Sequence, residues 1–276
     1  MKRTPEQVRK IIEEKVVGKV TSQHNDKGHY YQVEGGLGLT ASVTTKLGIL
    51  SKPHLSKWQI RVALEWMQVG DRWERFNQKD TSSDMLLGAM AAPYDVRDEH
   101  GFVGTIAHQA AEDYINHYLD TGIAPESMTK FLPSGCDARA VASTRGIEMF
   151  FKKNEIIPIA SEILVADRKY AAGTLDFICL MNGKLTLIDF KTSNAVDEVS
   201  YSMQVAAYKY FFEKMTGLKI QQCKILHLSK SDDRFTVYKI NNLKEAYRIF
   251  KNICLTYDWI NDPSKKVEKD VIRVVI

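Results

Sequence analysis

Between residues 101 and 119 apolar side chains recur at the helical period. Val103, Ile106, Ala107, Ala110, Ala111, Tyr114, Ile115 and Tyr118 fall on one broad face, which predicts an amphipathic helix. Beyond residue 160 the texture changes to three short β-rich runs, SEILVAD, TLDFICLM and KLTLIDFK. They are split by Asp167-Arg168-Lys169 and by Asn182-Gly183, the latter a strong hairpin signal. A helix is predicted over 200–215, then strands in KILHLSK and RFTVYKI around SDD, and a last helix over 242–261. Upstream, a surface helix opens the chain. HYYQV and LGLTA read as a hairpin about Gly35-Gly36, and helices are predicted over 43–50, 54–69 and 137–153. The Asn/Asp/Ser stretch and Pro93 predict that at least part of 77–99 is loop.

This order, helices followed by three strands, a helix, two strands and a helix, predicts an α/β fold whose sheet carries helices on its faces. The short sequential strands make a mixed sheet the expectation. The chain divides into a mostly helical N-terminal region (1–100), a core (101–262) and a charged tail (263–276), expected to form one compact unit. No apolar run approaches the ~20 residues that cross a bilayer, and the N-terminus lacks a signal peptide's apolar core, so a cytoplasmic protein without a membrane partner is expected. Cys136, Cys179, Cys223 and Cys254 are scattered without a CxxC pair, which argues against zinc and against a disulfide framework. A net charge of +4 is compatible with a nucleic-acid partner without requiring one. No GxxxxGK[ST] occurs, so neither a nucleotide cofactor nor an intrinsic motor is expected.

Chemistry concentrates in KLTLIDFK. Alternation puts Leu185, Leu187, Asp189 and Lys191 on one face of that strand, and Ile188 and Phe190 on the other. An acid and a base therefore project side by side from an interior strand. The Asn182-Gly183 turn folds GTLDFICLM back and brings Asp176 to a height comparable with Asp189. Close carboxylates raise each other's pKa unless a cation neutralises them, and hard oxygen ligands suit Mg²⁺ or Mn²⁺. With Lys191 holding the attacking water or the phosphate charge, these parts suffice for phosphodiester hydrolysis. Read by itself, Asp-x-Lys is equally the signature of an ordinary salt bridge in a hairpin.

Four elements in order resemble the RecB-type branch of the PD-(D/E)XK nucleases: GTIAHQAAEDY with His108, GTLD with Asp176, IDFKT with Asp189 and Lys191, and QVAAY with Gln204 and Tyr208. The resemblance covers residues 101–240 and implies a restriction-endonuclease-like core, a central mixed β-sheet flanked by helices. It implies Asp176, Asp189 and the backbone carbonyl of Phe190 as metal ligands, His108 near the metal or the scissile phosphate, and Lys191 as catalytic. Gln204 and Tyr208 would orient the site and contact DNA, and Glu162 is a candidate additional acid. The segment before the core is similar to the N-terminal part of phage-encoded exonucleases and the mitochondrial genome maintenance exonuclease, where helices help form a passage for single-stranded DNA. Lys46, Lys52, Lys57 and Arg61, interleaved with Trp58, would then form a phosphate track with stacking, although core packing accounts for the tryptophan as well. No closing cysteine cluster follows the core, so no iron–sulfur cluster is expected.

The resulting expectation is a Mg²⁺- or Mn²⁺-dependent exonuclease acting on single-stranded DNA ends in phage or host recombination or repair. A recombinase, a helicase or a single-strand-binding protein would be its companion. The alternatives are a flap or branch endonuclease, with the same catalytic residues, and an inactive DNA-binding or assembly module.

Overall fold

The computed structural model describes residues 3–25, 28–36, 38–50, 52–77, 82–262 and 264, so all but one residue of the predicted tail lies outside the described residues. Helix α1 (Pro5–Lys15) starts on a reciprocal cap. The Gln7 N–H donates to the Thr4 hydroxyl, and the Thr4 N–H donates to the Gln7 side chain. Strands β1 (Val20–Asn25), β2 (Gly28–Val33) and β3 (Leu39–Ala41) form an antiparallel sheet in that order. The first of them is absent from the sequence reading. TSQHN is polar throughout, as suits an edge strand, and among the described side chains of β1 Val20 reaches an apolar cluster.

Helices α2 (Val43–Leu47), α3 (Pro53–Met67) and α4 (Arg72–Phe76) follow, then the long α5 (Ser82–Thr121). Of the stretch 77–99, where at least part is expected to be loop, residues 82–99 belong to α5, which carries Pro93 within it, and residues 78–81 lie outside the described residues. Asp84 stands in the first turn of α5, where a carboxylate complements the helix dipole. Met85, Ala89 and Ala92 extend the buried stripe upstream at helical spacing, so tertiary packing outweighs the single hydrogen bond lost at Pro93. The boundary expected at residue 100 falls inside this helix. α1 packs on the strand Ile156–Asp167, and α2 packs on the helices Glu198–Thr216 and Leu243–Asn261, so the N-terminal elements are built onto the core.

Downstream lie α6 (Ala138–Lys153), β4 (Ile156–Asp167), β5 (Ala171–Met181), β6 (Lys184–Lys191), α7 (Glu198–Thr216), β7 (Gln222–Leu228), β8 (Phe235–Lys239) and α8 (Leu243–Asn261). They form a five-stranded sheet of order β4-β5-β6-β7-β8, parallel between β6 and β7 and antiparallel elsewhere. The mixed α/β architecture with flanking helices is therefore as expected. β4 begins five residues before the predicted SEILVAD run and tolerates Pro158 because it is an edge strand. The Pro158 carbonyl accepts a hydrogen bond from Arg9 of α1 (2.8 Å). Asn182 (φ 50°) and Gly183 (φ 68°) both occupy the left-handed region that a two-residue hairpin turn requires.

Each face of the sheet buries its own core. On one, Ile178, Leu187 and Ile225 meet Val205, Phe211 and Phe212 of α7 and Phe250 of α8. On the other, Phe177, Ile188 and Leu226 meet Ile115 of α5 and Ile147 and Phe150 of α6. Each such side chain stabilises the fold by about 1.5–3 kcal/mol, enough collectively to hold an ionic cluster between the two layers. Cys179, Cys223 and Cys254 are buried and, like the half-buried Cys136, unpaired. Among the described residues no helix is long and apolar enough to cross a membrane.

Candidate active site

The site forms where the β4–β5–β6 ladder loses its regularity. Ser161↔Phe177 and Ile163↔Leu175 are register partners, so Glu162 of β4 stands across from Asp176 of β5. Glu162 has φ 47°, a left-handed backbone rare for a non-glycine residue and costing about 1–3 kcal/mol. Around it the alternation of the strands breaks: Leu175 packs in one core layer and Phe177 in the other, leaving Asp176 between them. The β5–β6 register runs out at Phe177↔Ile188, one step before Asp176 and Asp189. The Phe190 N–H closes that gap by donating to Asp176 Oδ2 at 2.7 Å. The hairpin thus brings the two carboxylates together at one height, as its turn predicts.

Asp189 is fully buried, and neither of its carboxylate oxygens accepts a hydrogen bond from the described residues. What compensates it is the ammonium of Lys191, 2.5 Å from Oδ2 as an ion pair without hydrogen-bond alignment. Lys191 also lies over the Tyr201 ring at 5.1 Å. Burial pushes the Asp189 carboxyl up to about 6 even with Lys191 opposing the shift, and it raises Asp176 as well. Glu162 is pushed up to about 8, first by burial and then by the charges of Asp176, Glu112 and Asp189. Lys191 is raised, the two aspartates outweighing its own desolvation. The centre holds more negative charge than Lys191 neutralises.

Helix α5 supplies the opposite wall. A Cβ built on Gly104 would lie 2.6 Å from Thr192 Oγ1, so a glycine here lets the helix rest against the end of β6. One turn later His108 reaches inward, its Nδ1 3.8 Å from Asp176 Oδ2 and its ring edge-on to Phe190 at 5.7 Å. Desolvation, with help from Lys191, lowers His108 to about 4, so at neutral pH it is an uncharged lone-pair donor. Ligand atoms of His108, Glu162 and Asp176 all lie within 4.8 Å of one another. The resemblance implies a metal set of Asp176, Asp189, the Phe190 backbone carbonyl and His108. The geometry puts Glu162 in that group, with Asp189 beside it holding Lys191. One turn past His108, Glu112 also lines the cleft and raises Glu162, a contribution the sequence reading missed although HQAAE places both on one helix face.

Gln204 and Tyr208 of α7 are buried under the site. Gln204 Nε2 donates to the Tyr208 hydroxyl at 3.2 Å, and the charges of Asp189 and Asp176, added to burial, hold the phenol protonated well above its ordinary range. Both side chains are buried, and neither stands on an exposed surface. Tyr208 also explains Gly173: a Cβ there would sit 2.7 Å from Tyr208 Cε1. Gly173→Ala is expected to cost about 1–3 kcal/mol by overpacking against Tyr208. Urea denaturation beside the wild type measures the loss, and an unchanged midpoint would show that the ring gives way to the added methyl group.

The predicted N-terminal contacts separate. Trp58, with His54 and Leu55, lines the cleft of about 820 Å³ over His108, Asp176 and Lys191. Lys57 and Arg61 are exposed, Arg61 3.7 Å from Glu65. Lys52 is paired with Asp197 at 2.9 Å. Lys46 is withdrawn from any phosphate track: it is buried, paired with Asp258 at 2.6 Å and set over the Tyr257 ring. In sequence it reads as one more helix lysine, because its partner lies far along the chain.

The donor set suits a hard divalent cation. Carboxylates raised by mutual repulsion, a neutral imidazole and a buried carboxylate without hydrogen bonds all relax when positive charge arrives. No family model matches this sequence, and no curated protein matches it. Among solved structures the chain is similar to "Crystal structure of SSO0001", at 14% identity over 60% of this chain and 86% of that one, with a TM-score of 0.25 that carries no argument about function.

Proposed function

We propose that this protein is a metal-dependent deoxyribonuclease of the PD-(D/E)XK type that removes nucleotides from single-stranded DNA ends. The observation that carries the reading is the convergence of Asp176, Glu162 and His108 beside the buried Asp189–Lys191 pair at the floor of one cleft. Asp176, Glu162 and His108 would hold Mg²⁺ or Mn²⁺, with the Phe190 backbone next to them, and the imidazole suits Mn²⁺ at least as well as Mg²⁺. Such a cation supplies Lewis acidity toward a phosphoryl oxygen.

The chain's own residues do the rest. Lys191, kept protonated by Asp189, places a fixed positive charge where a phosphate gains charge during hydrolysis. Asp189 fixes the Lys191 ammonium, and Tyr208, held by Gln204, stays protonated in the field of Asp189. The Phe190 N–H orients Asp176. Trp58 at the cleft wall offers a face on which a base stacks. A biological setting in phage or host DNA recombination, repair or processing fits this activity.

The test uses a linear single strand labelled at either end, a circular single strand and a blunt duplex, each with Mg²⁺, Mn²⁺ or EDTA. Metal-dependent loss of the linear strand with the circle spared is expected. Cleavage of the circle would replace the end-dependent reading with an endonuclease, and no cleavage under either metal would overturn the nuclease assignment.

A further inference from the structure

A second and larger cavity, of about 1250 Å³, adjoins the site cleft, and the two share four lining residues: His100, Ser193, Asn194 and Lys230. Together they exceed the ~300–1,000 Å³ of small-molecule pockets, which suits a polymer rather than a compact ligand. The second cavity is walled by α6, by β8 and by the β7–β8 turn, and it is rich in cations: Lys153, Arg139, Arg234 and the shared Lys230. Two of these are already occupied. Arg139 pairs with Asp137 (2.7 Å) and Glu99 (2.5 Å), and Arg234 pairs with Asp232 (2.6 Å). Lys230 and Lys153 have no carboxylate partner among the described residues. The Lys230 ammonium touches only the His100 carbonyl, at 3.4 Å, and Lys153 lies over the Phe235 ring at 5.5 Å.

We infer that this second cavity is the path of the DNA strand beyond the scissile phosphate, with Lys230 at the junction and Lys153 further along each holding a backbone phosphate. The inference rests on the nuclease reading and deepens it. A half-buried lysine without a counter-ion, in a cavity continuous with a phosphodiesterase centre, is completed by an anion arriving with the substrate. The strand would then run from the cleft lined by Trp58 into the cavity lined by β8.

Binding and cleavage are measured separately on the full-length protein. Binding of a fluorescent 20-nucleotide and a 5-nucleotide oligothymidylate is followed by anisotropy in EDTA across a salt series, for wild type, Lys153→Glu and Lys230→Glu/Lys153→Glu. The double variant should bind the 20-mer at least 10-fold more weakly, with the 5-mer changed less than threefold. Its log–log salt slope should fall by about 1.4, since each phosphate contact on a single strand contributes about 0.7. The exposed Lys153→Glu alone should lower the slope by about half as much and guards against misfolding of the double variant. Equal 20-mer affinity and equal slope in wild type and Lys153→Glu would overturn the track, as would equal loss for both lengths or no DNA binding by the wild type. If the slope falls as expected but the wild type cleaves nothing with Mg²⁺ or Mn²⁺, the track stands and the nuclease reading fails.

Discussion

Lys191→Ala is expected to lower metal-dependent cleavage by about 10²–10³-fold, the loss that follows removal of one preorganised charge-stabilising group. The same variant should be less stable, and the size of that loss should depend on pH. Asp189 has no hydrogen bond to fall back on once Lys191 is gone, and a buried pair broken from one side costs about 3–5 kcal/mol. The carboxyl already stands at about 6 with Lys191 present, so without it protonation at acid pH relieves the unpaired charge. Urea unfolding of Lys191→Ala at pH 8 and pH 5 should therefore show a larger deficit at pH 8. Asp189→Ala/Lys191→Met removes both charges and should recover most of the lost stability while remaining inactive. A double variant that cleaves DNA within tenfold of wild type would remove Asp189 and Lys191 from the chemistry. Equal destabilisation of Lys191→Ala at both pH values would show that Asp189 is not the group left exposed to the loss.

That pair illustrates what the sequence makes legible. Asp189 and Lys191 lie two residues apart in an apolar strand, and the Asn182-Gly183 turn fixes which residue of β5 faces them, so local geometry alone brings Asp176 to the right height. His108 and its helix face follow from periodicity in the same way. Glu162 was harder. SEILVAD offers no reason to prefer an acid there over a solvated strand residue, because its entry into the site depends on a left-handed backbone that breaks the strand's alternation. Lys46 misled for the complementary reason, its partner Asp258 lying on a helix at the far end of the chain. Pro93 reads as a break because local propensity favours one, whereas α5 runs through it with Met85 and Ala89 packed against Met67. Signals within one hairpin or one helix turn survive in sequence. Those that depend on a partner element do not.

The metal-free protein is expected to lose stability as pH rises, and Mn²⁺ is expected to restore it most at high pH. Asp189 and Glu162 stand above their ordinary values in the folded state, at about 6 and about 8, and Asp176 is raised too. Between their unfolded pKa values near 4 and these folded ones, the folded chain binds more protons than the unfolded chain. Stability therefore falls with rising pH across that window, the opposite of a salt-bridged carboxylate. Each pKa unit corresponds to about 1.4 kcal/mol, so after allowance for partial solvent access Glu162 alone contributes a few kcal/mol of destabilisation above pH 8. A cation held by Asp176, Glu162 and His108 needs these groups deprotonated, so its binding is itself favoured by rising pH. Thermal melts at pH 5.5 and 8.5, with EDTA or excess Mn²⁺, should show a stabilising increment larger by roughly 5–10 °C at the higher pH. Glu162→Gln should flatten the pH dependence of the metal-free protein and shrink the increment together, because one carboxylate is responsible for both. If Glu162→Gln flattens the first and leaves the second intact, Glu162 is a strained acid beside the centre rather than one of its ligands. If Mn²⁺ shifts the melt equally at both pH values in the wild type, the cation does not bind at this cluster.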